Sequence, residues 1–100
     1  MGFSSKLKDP FIDKLFEAVL SLQNREECYR FFEDICTVSE LKSIAQRLEV
    51  AKMLEDNYTY GEIAEKTGAS TATISRVKRA LNYGADGYKL VLERLKKKKK

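Results

Sequence analysis

The sequence predicts an all-α fold of about six helices, and three observations carry that prediction. Apolar residues recur at three- and four-residue steps in each successive segment, as they do along one face of a helix. Side chains that cap helices stand just ahead of those segments. No stretch alternates apolar and polar residues in the manner of a half-buried strand, and no internal repeat is present.

The first helix starts at Asp9-Pro10, where the carboxylate can cap and a proline at the first helical position gives up no needed N–H. Ile12, Leu15, Phe16, Val19 and Leu22 then share one face, which carries the helix to about Gln23. Asn24, with Glu27 three residues on, caps a second helix whose apolar face is Cys28, Phe31, Phe32 and Ile35. Cys28 and Cys36 are expected as small core residues, since no other soft ligand lies near them. "TVSE", Thr37 to Glu40, is a capping box that opens the third and longest helix, with Leu41, Ile44, Ala45, Leu48, Ala51, Met53 and Leu54 as its apolar positions. By its position alone Arg47 is a surface charge on that helix. "TYGE", Thr59 to Glu62, is a second box, opening a short helix that carries Ile63 and Ala64 and stops at Gly68. Ser70 caps the next, with Ile74, Val77 and Leu81 on one side. After the "NYGADG" connection, Tyr88, Val91, Leu92 and Leu95 form the last amphipathic helix, and lysines follow where they suit the negative helix end.

One hundred residues, 43% of them hydrophobic, fit one domain over residues 1–95 with a solvated lysine tail at 96–100. A domain this small buries a low fraction of its surface, so help from a partner chain is expected. Two cysteines cannot make a disulfide framework, and without histidine the familiar Cys/His zinc arrangements cannot be assembled, so no metal is expected. No glycine-rich phosphate loop, recognisable acid pair or activated nucleophile is present, and the chain is not read as an enzyme. The opening "MGFSSKLKDPF" lacks a signal-peptide core and no apolar run approaches a membrane span, which points to a cytoplasmic protein with no membrane partner. Formal charge is polarised: residues 1–57 sum to −3 and residues 58–100 to +7. Such a basic half attracts polyanions.

Residues 59–81 meet the demands of a helix-turn-helix. Ala64 is small where the second helix crosses closest, Gly68 supplies the positive φ of a tight turn, and Ile63, Ala69, Ile74 and Val77 fall at inward positions. The remaining face of the second helix is polar and basic, and no acid occurs between Lys66 and Tyr83. Double-stranded DNA is the partner such a face fits. Ser70, Thr71, Ala72, Thr73 and Ser75 lie where a helix N-terminal half meets base edges and phosphates, while Lys78 and Arg79 suit phosphates and Arg76 either role. The competing interpretation is a helical dimer that docks an acidic protein partner through this face and binds no DNA.

The segment "TVSELKSIAQRLEVAKMLEDNYTYGEIAEKTG" followed by "ASTATISRVKRAL" resembles the Trp-repressor superfamily, and within it the Trp-repressor-like YerC/YecD branch. The similarity spans nearly the whole chain and is strongest from Thr37 to Leu81. It implies an intertwined all-helical homodimer, a sequence-specific DNA-binding regulator of transcription, and a repressor. It also implies an effector site at Thr37, Arg47 and Arg76, which match positions that hold tryptophan in the sensing repressor. Val77 and Ala80, however, stand where that repressor has glycine and serine. Tryptophan is therefore not the expected ligand, no cofactor is implied, and an effector of other chemistry stays open.

Overall fold

The computed structural model describes residues 3–98. Residues 1 and 2 of the expected domain and Lys99 and Lys100 of the lysine run lie outside them. Six α-helices, α1 (Pro10–Leu20), α2 (Arg25–Ile35), α3 (Val38–Glu55), α4 (Tyr60–Thr67), α5 (Thr71–Tyr83) and α6 (Gly87–Lys98), account for the regular structure, with no strand among the described residues. The chain forms two compact units, Met1–Val38 and Ser39–Lys100.

In the first unit, the Asp9 carboxylate accepts the N–H groups of Phe11 and Ile12 at 2.7 and 3.2 Å, with Pro10 at the first helical position. Helix α1 stops at Leu20, short of Gln23, because the Ser21 N–H turns back to the Glu17 and Ala18 carbonyls and its hydroxyl donates to the latter. Asn24 caps α2 by accepting the Glu27 N–H at 2.9 Å, while the Glu27 carboxylate accepts from the Gln23 N–H one position upstream of the cap. Phe31 and Phe32 meet edge to face at 5.3 Å between ring centres. Yet no described residue of this unit is buried. Phe11 is 79% exposed, Phe16 57% and Leu20 82%. Cys28 is exposed and Cys36 half-buried, so neither is the core residue that the sequence suggests; Phe31 and Phe32 of the same α2 face are half-buried.

The second unit holds the whole interior. Val50, Ala51 and Met53 of α3, Ile63 of α4, Ala69 of the following turn, Ile74, Val77 and Leu81 of α5 and Leu92 of α6 form one buried cluster, with Leu54, Ala64 and Tyr88 packed against it. Val50, fully buried, is absent from the apolar face expected of α3, whereas Ile44 and Leu48 of that face stay 47% and 37% exposed. Helix α3 therefore carries apolar side chains in two directions, only one of which its own chain covers. It ends in a motif with Asn57 left-handed at φ 67°: the Asn57 N–H reaches the Leu54 carbonyl and the Tyr58 N–H the Met53 carbonyl, the bonding pattern that satisfies the last turn of a helix.

Helix α4 opens on the full capping box, the Glu62 N–H donating to Thr59 Oγ1 and the Thr59 N–H to Glu62 Oε1 at 3.1 and 2.8 Å. Ser70 caps α5 by accepting the Thr73 N–H. The final helix runs through Lys96, Lys97 and Lys98, where the composition leads one to expect a frayed tail.

Two glycines flanking the α5–α6 connection have opposite requirements. A Cβ on Gly84 would lie 2.5 Å from the Ala80 carbonyl oxygen, a backbone atom with nowhere to go; one on Gly87 would meet nothing within 4 Å. Gly84→Ala is expected to destabilise the protein by about 1–3 kcal/mol, as overpacking does, and Gly87→Ala to stabilise it by about 0.5 kcal/mol through reduced chain entropy. Urea unfolding midpoints of the two variants check both signs.

Candidate nucleic-acid interface

The site is built on the turn between α4 and α5. Gly68 closes α4 with φ +75°, and its N–H returns to the Ala64 carbonyl at 2.9 Å. A side chain at this φ would be strained, so glycine is demanded by backbone geometry. The positions expected to face inward do so: Ile63 and Ile74 are fully buried, Ala69 and Val77 nearly so, and Ala64 packs against the cluster. Helices α4 and α5 thus hold one another through apolar contact, and the outer face of α5 is left to solvent.

That outer face carries Thr71, Ala72, Ser75, Arg76, Lys78 and Arg79, all exposed. Among the described residues none of the three basic side chains is in an ion pair, and no acid stands in the first turn of α5. The free N–H groups and small side chains of the N-terminal turn and the cations further along form one positive strip on a rigid support. Ser70 and Thr73 are placed differently from the rest. Ser70 Oγ accepts the Thr73 N–H and donates to Thr73 Oγ1, both at 3.1 Å, and Thr73 is half-buried, so both hydroxyls are engaged in the cap. Arg47 is exposed on α3, in the same unit as Arg76; Thr37 is exposed in the other unit.

Two residues essential to this geometry carry no motif. Gln46 on α3 donates from Nε2 to the Thr67 carbonyl at 3.0 Å, across twenty-one positions of sequence, and so fixes the turn to the long helix. Thr67 donates its hydroxyl to the Ile63 carbonyl at 2.7 Å and accepts the Ala69 N–H at 3.1 Å, satisfying a backbone donor that the turn would otherwise orphan. A threonine immediately before the glycine was the one local signal available for this. Gln46 offers none, since a glutamine on a helix is ordinarily solvated. Lys66 lies over the Tyr58 ring, 5.9 Å from its centre, and links α4 to the segment that enters it.

The family model for Trp repressor protein matches residues 11–96. YerC of Bacillus subtilis (strain 168), a protein of uncharacterized function, is 59% identical over 91 residues, which is 91% of this chain and 88% of that protein. A solved structure of a TrpR-like protein from Eubacterium eligens ATCC 27750 superposes with a TM-score of 0.87 at 62% identity, covering 90% of this chain and 93% of its own. Another, from Staphylococcus aureus, gives 0.88 at 56% identity and covers 91% of each chain.

Gln46→Ala and Thr67→Val are each expected to cost about 1–2 kcal/mol, the usual effect of removing a partner from a half-buried hydrogen bond. Amide exchange at Ala69 should quicken in both variants relative to Val50, which serves as the internal reference.

Proposed function

The chain belongs to the Trp repressor family, and from that premise we propose that it is a dimeric, sequence-specific DNA-binding regulator of transcription, acting as a repressor. The observation that carries this reading is the exposed, acid-free outer face of α5, held rigidly by a buried α4–α5 contact. A solvated face needs charge, but it does not need a glycine turn, two caps and a glutamine tether to hold it in place. Residues 1–95 act as one domain in the dimer, in which a second copy covers Phe11, Phe16 and Leu20 of α1 and Ile44 and Leu48 of α3. Among the described residues no helix is long and apolar enough to cross a membrane.

Helix α5 enters the major groove of a two-fold symmetric operator whose half-sites lie about one helical turn apart. Thr71, Ala72 and Ser75 contact base edges; Lys78 and Arg79 contact phosphates, with Arg76 beside them. Ser70 and Thr73 contribute through the cap that presents the α5 N-terminus. Thr37, Arg47 and Arg76 remain the positions for an effector, and tryptophan fits them poorly. Val77 is a branched side chain committed to the core, and Ala80 has no hydroxyl for an ammonium group.

Three outcomes are expected. Sedimentation at micromolar concentration gives a dimer, and a folded monomer there would overturn the assembly. Lys78→Ala weakens binding to every duplex and lowers the salt slope by about one unit, whereas Thr71→Ala or Ser75→Ala shifts sequence preference in fragments selected from genomic DNA. If Lys78, Arg79 and Thr71 can be changed together without loss of duplex affinity at low salt, the basic face serves a protein partner instead. Calorimetry with free tryptophan gives no micromolar binding and no gain in DNA affinity.

A further inference from the structure

Helix α6 presents a second basic surface that the α5 interface does not use. Lys96, Lys97 and Lys98 occupy consecutive helical positions, all exposed, and successive residues of an α-helix are set about 100° apart. They consequently spread over about 200° of the helix end. Glu55, Asp56 and Glu93 line one cavity with Lys52, Lys89, Lys96 and Lys98, so the cations there outnumber the acids; Asp56 pairs with Lys52 at 3.5 Å, and neither Glu55 nor Glu93 forms an ion pair with any described lysine. The negative end of the helix dipole offsets only about half an elementary charge. Three adjacent cations at this density repel one another and gain most from a partner with closely spaced negative charges. Duplex DNA has one such charge per ~1.7 Å of axis. Helix α6 is fastened through Leu92 into the cluster that also holds Ile74, Val77 and Leu81 of α5, so the lysines ride on the same unit as the recognition helix.

We propose that the lysine-rich end of α6 is a sequence-independent contact to the phosphate backbone of duplex DNA, additional to α5 and setting much of the salt dependence of binding. The inference rests on the DNA-binding reading above. The test compares the full chain with K96Q/K97Q/K98Q and with the charge-keeping K96R/K97R/K98R, on random and genomically selected duplexes between 50 and 200 mM salt, with circular dichroism to confirm unchanged helix content. The Gln variant is expected to lower the log–log salt slope by about 1–2 units per protomer, since side chains set about 100° apart on a helix do not all reach one backbone. Its affinity for both duplexes should fall by the same factor, on the order of a hundredfold at the lowest salt and less at the highest, and the Arg variant should match the parent. An unchanged slope in the Gln variant, while Lys78→Ala still weakens binding, overturns the lysine contact and leaves α5 intact. A parent chain that binds no duplex at 50 mM salt overturns both readings. A Gln variant that keeps duplex affinity but loses binding to phosphatidylglycerol vesicles assigns the lysines to a membrane surface and overturns the proposal.

Discussion

Ile63 and Ile74 must occupy the same small interior, and the left-handed turn at Gly68 is what allows two helices only three residues apart to bring them there. The other features of the candidate interface follow from that constraint. With those two side chains buried, Val77 and Leu81 are placed inward at helical spacing, and Arg76, Lys78 and Arg79 are placed outward by the same period. The orientation of the basic face is thus a by-product of apolar packing. Its position relative to α3 is set by the shared cluster with Val50, Ala51 and Met53 and by the Gln46 tether, a polar contact that acts on the turn and leaves the interior apolar.

The sequence revealed the helices from Asp9 onward because the signals there are local. A carboxylate before proline, two Thr-x-x-Glu boxes and a glycine between amphipathic runs each act within four or five residues. Endpoints were less legible. Helix α1 ends at Leu20 through a serine that closes on its own turn, and α3 ends at an asparagine in a conformation usually left to glycine. The exposed side of α5 was legible for a different reason: once Ile74 and Val77 are assigned inward, the 3.6-residue period assigns the others outward.

What stayed hidden is long-range. Val50 lies outside the stripe that Ile44 and Leu48 define, and no periodicity can say which of two stripes on one helix meets its own chain. Gln46 is found only once the Thr67 carbonyl is placed beside it. The hydroxyls of Ser70 and Thr73 read in sequence as candidate DNA ligands, and geometry shows them bonded to each other. Cap residues and contact residues share the same chemistry at a helix N-terminus, so composition cannot separate them.

The lack of a single buried residue among positions 3–38 has a further consequence, for dosage. An apolar face left half-open gains further when something outside the chain lies on it, and that coverage obeys mass action. The buried cluster lies wholly within residues 50–92, whereas α1 and α2 bury no residue and have more to gain from a cover. When a second copy is the cover, the number of covered pairs grows with the square of protomer concentration at the dilute end. Halving the protomer concentration would then leave about a quarter of the covered pairs, without changing any ligand.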